Sequence, residues 1–484
     1  MESDEFTPEE VERLAERFEA HLQSGLLQGT YFDIDELIAL AEHYEEQHLC
    51  RKVKAVIELG LQLYPNDYEL KISQVRCLIC ENKCRSALQL LDRMQIEGDT
   101  YDADLMRMEA YLRLRYKNKA LLVARRIMQQ NDDDHANIAL DLTDVCSSFN
   151  QHDIAQEVLT WALQADPENI KLLLRLGATQ ISMHLIEESI KTYNRLLDIE
   201  PYDADAWFYL AFAHCCLQEW DEAIRGFDFC LSVDNTYTDA WIQKGKIYMV
   251  VNRPEEAQKC YAEALNLVNY DLEGNPKSQD AGEILPEYLS DIYCSLGKTL
   301  TCLNQNETAI QRYQTALRFV PHYYDAYIGL ALSYFQLQRY QDALNYCKQG
   351  LKHNRDLINC SRLYCLSGDV YMQLGRTDQA RKMYRSAIEE NPWDIDTHVF
   401  VGCAMFAQKL YRQGEKYLKA AFELNPDYAA SELLMHLIGL YEDGETELAL
   451  KLLDAAVRIS PESVRKYCTE HPESSDTLNR IMNS

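Results

Sequence analysis

One period governs this chain. Residues 205–234, DAWFYLAFAHCCLQEWDEAIRGFDFCLSVD, align with 239–268, DAWIQKGKIYMVVNRPEEAQKCYAEALNLV, so that Trp207 falls on Trp241, Ala223 on Ala257 and Phe227 on Tyr261. The offset is 34 residues. Extending that frame places unit starts near 34, 68, 102, 136, 170, 204 and 238, then 290, 324, 361, 395 and 430. A period of this length makes each unit one supersecondary element whose apolar surface is completed by its neighbours, so the chain reads as a stacked array.

Inside a unit, apolar residues at positions 4, 7, 8 and 11 form one helical stripe, and those at 20, 24 and 27 form a second. Each unit is therefore two amphipathic helices in a hairpin. Small residues at positions 8 and 20 let the backbones approach, an aromatic at 24 fills the space beside them, and proline near 32 ends the hairpin. The unit starting at 290 carries Tyr293, Leu296, Gly297, Leu300, Ala309, Tyr313, Ala316 and Pro321. The unit starting at 361 carries Tyr364, Gly368, Tyr371, Ala380, Tyr384, Ala387 and Pro392. These residues resemble the tetratricopeptide repeat (TPR). Departures are local: position 20 is Val53 in the first unit and Gly414 in the eleventh, and Ala120 and Ala124 sit one residue out of frame.

The resemblance implies an all-α fold, an α-solenoid wound as a right-handed superhelix of about twelve stacked helix-turn-helix units with capping helices. The expected division is an acidic N-terminal capping helix and linker (1–33), seven units (34–267), an inserted loop (268–289), five units (290–463) and a C-terminal capping helix and tail (464–484). Thr7, Pro8 and Glu10 read as a capping box opening a helix whose apolar face is Val11, Leu14, Ala15, Phe18 and Leu22. At the far end, ESVRKYCTEHPESSDTLNRIMNS reads as a short solvated helix with a frayed tail. The insertion, rich in Gly, Pro, Asn, Asp and Ser, is either a spacer or a binding element.

Composition narrows the function. Net charge is −29, and the first fifty residues hold 14 Asp and Glu against 2 Arg. Such a surface repels nucleic acid, which needs clustered Lys and Arg. It suits either simple solubility or a basic partner. No basic start with an unbroken apolar run opens the sequence, and no stretch is apolar enough to span a bilayer. The expectation is a cytoplasmic protein without membrane insertion, whose sixteen cysteines are thiols.

Motifs that could carry chemistry dissolve into the repeat. GKT at 297–299 lacks the preceding glycine of a phosphate loop, since residue 292 is Ile, and Gly297 occupies position 8. His43 and His48 are five apart and miss the i, i+4 geometry of a zinc-binding helix. NDDDH at 131–135 lacks the glycine and closing Glu of a calcium loop. CLICENKC at 77–84 has metal-like spacing, yet in the repeat frame it spans one helix end, a turn at ENK and the next helix start. No metal, cofactor or catalytic residue is assigned, and the chain is not expected to be an enzyme.

In proteins this chain resembles, partners bind the concave face, lined by first-helix positions 2, 5, 9, 12 and 13. Those positions point to Phe208, Phe212, Ile242, Lys246, Met249, Ile328, Phe335, Asp369, Met372 and Phe406, together with Cys215, Cys216, Leu332, Cys365, Val399 and Cys403. This apolar lining suits capture of basic or apolar peptide segments, although positions 5 and 9 can equally be core between repeats. The carboxylate clamp of chaperone-binding members is missing, because position 5 reads Ile38, Ile72, Met106, Leu140, Leu174 and Phe208. The asparagine ladder of backbone-binding members is missing too, because position 6 reads Ala39, Ser73, Arg107, Asp141, Arg175 and Tyr209. The expected function is a non-enzymatic scaffold for protein partners; the alternative is a structural subunit that self-assembles as a homo-oligomer through its own array.

Overall fold

Helix after helix starts where the period places a capping residue, and the computed structural model describes residues 6–24, 32–47, 49–94, 101–130, 135–275, 285–353 and 360–482. His48, the acidic run at 131–134, most of the linker before residue 34 and the second half of the insertion, 276–284, lie outside the described residues. The chain divides into two compact units, 1–234 and 235–484.

The first unit opens with α1 (Pro8–Ser24). Helix pairs follow: α2 (Ile34–Glu46) with α3 (Cys50–Leu63), α4 (Tyr68–Cys80) with α5 (Cys84–Arg93), and α6 (Tyr101–Arg113) with α7 (Lys117–Gln130). Next come α8 (His135–Ser148) with α9 (His152–Ala165), α10 (Ile170–Ser182) with α11 (Ile186–Ile199), and α12 (Ala204–Cys216) with α13 (Trp220–Val233). The second unit pairs α14 (Thr238–Val250) with α15 (Pro254–Leu267), α16 (Pro286–Cys302) with α17 (Asn306–Phe319), and α18 (Tyr324–Gln336) with α19 (Tyr340–His353). It continues with α20 (Ser361–Gln373) and α21 (Thr377–Glu390), α22 (Ile395–Ala407) and α23 (Tyr411–Leu424), then α24 (Pro426–Glu442) and α25 (Thr446–Ile459). It closes with α26 (Pro461–Glu470) and α27 (Pro472–Met482). Each unit is an α-solenoid.

Local chemistry explains the boundaries. Three first helices of the first unit are capped by short polar side chains: Asp67 accepts from the Leu70 amide at 2.9 Å, Asn169 from Leu172 at 3.1 Å, and Asp203 from Ala206 at 2.7 Å. First helices end in left-handed residues that recur at the repeat period, Asn150, His184 and Gln218 in the first unit and Asn252, Asn304 and Gln338 in the second. There the next amide returns to a carbonyl five residues back, as Gln151 to Cys146 at 2.9 Å and Arg253 to Tyr248 at 2.7 Å. Arg115 takes this place 33 residues after Asn82, which carries the one-residue frame slip at Ala120 and Ala124, both fully buried.

Position 8 and position 24 meet as their sizes demand. A β-carbon on Gly177 would stand 2.4 Å from the Tyr193 ring, one on Gly297 2.7 Å from Tyr313, and one on Gly368 2.4 Å from Tyr384. Gly297 is thus a packing residue. CLICENKC likewise spans the end of α4, a turn with Asn82 at φ 61° and the start of α5, with Cys80 exposed and Cys84 buried.

Three expectations need correction. The inserted loop gives way to helix at Pro286, four residues before 290, and α24 starts at Pro426 instead of 430, because proline fits the first helical turn and nucleates one more turn. The described start of the insertion is strapped down: Tyr270 packs edge-on against Phe319 at 5.8 Å, the Tyr293 hydroxyl donates to the Asp271 carbonyl, and Arg318 donates to the Glu273 carbonyl at 2.8 Å. The C-terminal segment is two helices and not one solvated helix, with Val464, Tyr467, Leu478 and Ile481 buried in a cluster with Leu433 and Leu453. At the other end Leu14, Ala15 and Phe18 of α1 are buried, and Thr7 donates from both its amide and its hydroxyl to the Glu10 carboxylate, each at 2.8 Å, which is the glutamate half of a capping box.

Within the second unit, each first helix touches the next first helix, from α14–α16 through α22–α24, whereas among the described residues comparable contact between successive second helices is found at α23–α25 alone. In a curved stack the layer whose members touch lies on the shorter radius. First helices therefore form the inner layer of that unit, and its side chains build the candidate site.

Candidate functional site

The inner layer of the second unit holds a groove of about 620 Å³. Its apolar floor is Ile328 and Leu332 from α18, Cys365 and Leu366 from α20, and Val399 and Phe400 from α22. Leu332 and Phe400 are each 37% exposed, an open apolar surface between buried neighbours. Carboxylates rim it: Asp369 on α20, Asp394 and Asp396 at the start of α22, and Glu432 on α24, with Arg362 and His436 beside them.

Each carboxylate is held differently. Burial pushes the Asp369 carboxyl up to about 6, against the pull of the Tyr384 hydroxyl, which donates to it at 2.6 Å. Asp394 stands at the N-cap position of α22, where its carboxylate accepts from the Thr397 hydroxyl. Asp396 accepts from Tyr428, whose phenol is pushed up to about 12 mainly by that carboxylate. Burial and then the Asp396 charge raise Glu432, while crowding lowers His436. Among the described residues no Lys or Arg forms an ion pair with Asp369, Asp394, Asp396 or Glu432. Towards α14 the inner layer is neutralised instead, by Lys246 with Asp291 at 3.4 Å and Lys298 with Asp325 at 2.6 Å.

Of the residues read from the repeat frame, Ile328, Leu332, Cys365, Asp369 and Val399 line this groove. Phe335 and Met372 are half-buried on the same helices, Phe335 edge-on to Tyr340 at 5.8 Å. Met249 accepts from the Thr299 hydroxyl at 3.2 Å, and exposed Lys246 is occupied by Asp291. Phe208 and Phe212, in the first unit on α12, are half-buried, with Phe208 against Phe227 at 5.5 Å. Ile242 and Phe406 are corrections: each is 3% exposed. Ile242 is sealed on α14, which packs against α16, and Phe406 sits in the cluster of Leu418 and Leu433. Cys403 is core for the same reason, whereas Cys365 and Val399 are buried but form part of the groove floor. Asp396, Phe400 and Glu432 were missed. The first two occupy positions 2 and 6 of their unit, the former among the positions assigned to the lining, and Glu432 comes from the next first helix.

Among the described residues no group of three or more His, Cys, Asp or Glu side chains could hold a metal ion, so the acidic rim is a charged surface and not a coordination site. No described helix is long and apolar enough to cross a membrane.

A family profile described as a tetratricopeptide repeat matches residues 238–267, 324–356 and 361–392, and one described as a TPR repeat matches 291–338. Those spans cover α14 to α21 of the second unit, of which α18 and α20 line the groove. This is a tetratricopeptide repeat protein. Among curated TPR-matching relatives, human protein O-mannosyl-transferase TMTC3 is 23% identical over 59% of this chain and 36% of its own length. Anaphase-promoting complex subunit CDC16 of Saccharomyces cerevisiae is 20% identical over 72% of this chain and 40% of its own. The chain thus spans well under half the length of both. The crystal structure of the APC/C hetero-tetramer Cut9–Hcn1 aligns over 98% of this chain and 96% of that one, at 14% identity and a TM-score of 0.37.

Proposed function

We propose that this TPR protein is a non-enzymatic, cytoplasmic scaffold that holds a partner peptide segment on the inner, concave layer of its second unit. The observation that carries the reading is the groove itself. Leu332 and Phe400, each 37% exposed, stand open in one groove beside the buried Cys365, Leu366 and Val399. Exposed apolar surface backed by rigid helices is what peptide capture uses, because the groove is already ordered before binding. A protein-interaction role also agrees with a relative that is, by its name, a subunit of a larger complex. A photo-cross-linking residue at Leu332 tests it, with Leu122 of α7, 64% exposed in a second helix, as control. A discrete adduct formed at 332 and absent at 122 supports the reading. Adducts of the same kind at both positions, or at 122 alone, would sink it.

A further inference from the structure

The groove differs from the rest of its layer in charge. Near α14 and α16 every inner-layer lysine named above has a carboxylate partner, at 3.4 Å and 2.6 Å. Around the groove, four carboxylates face one guanidinium, that of Arg362, and His436 is held below its ordinary pKa. Burial and then the Asp396 charge raise Glu432, although the Tyr428 hydroxyl bonded to both carboxylates opposes the rise. Like charges gathered beside an open apolar surface are a standing cost in the free protein, and an incoming cation removes it. Among the described residues no metal-binding group is present, so the cation belongs to a side chain. A second copy of this chain is a poor source, since each copy carries −29 and like-charged chains repel.

Resting on the scaffold reading above, we propose that the groove selects a partner segment in which a Lys or Arg sits next to a large apolar side chain. The cation lies between Asp396 and Glu432, and the apolar neighbour packs on Leu332 and Phe400. Apolar burial supplies affinity, and the charge sets which segments are accepted.

The test is fluorescence anisotropy on the full chain with labelled synthetic peptides alternating Leu–Lys, Leu–Glu and Ser–Lys. The Leu–Lys probe should bind, and both others should bind far more weakly. D396N/E432Q should weaken Leu–Lys binding by about tenfold, the size expected for losing two charge contacts, one exposed at Asp396 and one half-buried at Glu432. E389Q/E390Q, which removes equal charge from the exposed end of α21, should leave it unchanged. Equal effects of the two pairs would reveal generic attraction to an acidic chain and overturn the proposal, as would equal binding of Leu–Glu and Leu–Lys. If the adduct at Leu332 forms while Leu–Lys binding ignores D396N/E432Q, the cationic preference falls and the scaffold stands. Loss of the adduct removes the scaffold reading itself.

Discussion

The hydroxyl of Tyr384 donates to the carboxylate of Asp369 across 2.6 Å. The same tyrosine ring rests on Gly368, so the residue that packs the hairpin also orients a groove carboxylate. Scaffold and site share one side chain.

That pairing predicts a pH dependence. Burial raises the Asp369 carboxyl from 3.8 to about 6, so the folded chain holds this proton more tightly than the unfolded chain does. Its contribution to stability is fully present below the unfolded value and is lost as pH rises through about 6. Urea unfolding of wild type and D369N between these limits should diverge by up to about 3 kcal/mol, wild type losing stability relative to the variant as pH rises. A flat difference across the window would contradict the assignment.

Packing around the position-24 tyrosine, here from the next unit's first helix, predicts opposite outcomes for two glycines. A β-carbon on Gly329 would stand 2.1 Å from Tyr313, whereas one on Gly439, inside α24, meets nothing within 4 Å. G329A should cost roughly 1–3 kcal/mol by overpacking. G439A should stabilise by roughly 0.5–1 kcal/mol through helix propensity. Thermal or urea unfolding of the two variants checks both signs.

The hairpin turns allow a further sign test. Lys409 adopts φ 61° and Gly375 φ 70° at equivalent turns. K409G should gain roughly 1 kcal/mol by relieving left-handed strain, and G375A should lose a similar amount. Equal, same-sign changes in unfolding midpoint would show that these turns are not strained by side chains.

Much of this was legible because the repeat ties sequence position to geometry. Tyr68, Ala204, Thr238, Tyr324, Ser361 and Ile395 begin helices where the period puts unit starts, and Gly297 lies under Tyr313 as position 8 lies under position 24. Period alone could not register the extra turns nucleated by Pro286 and Pro426, whose effect depends on local capping. Nor could it see α27, where Leu478 and Ile481 find apolar cover only once the chain has folded back. The site was harder still. Position 9 is Leu332 in one helix and buried Cys403 in another, so exposure follows the packing of neighbours and not the position number. Asp396 and Glu432 come from successive inner helices and become a charge pair only in three dimensions.

The central claim is that the inner layer of the second unit captures a partner. Its most direct measurement is calorimetric titration of the protein cross-linked at Leu332, once purified, into wild type and L332E/F400E. Both substituted side chains are 37% exposed, so the variant should keep the wild-type helical signal and unfolding midpoint to within roughly 0.5 kcal/mol. The account predicts that affinity falls by at least about tenfold, because two apolar contacts are replaced by charges in an already acidic groove. Unchanged affinity in a folded variant would contradict it.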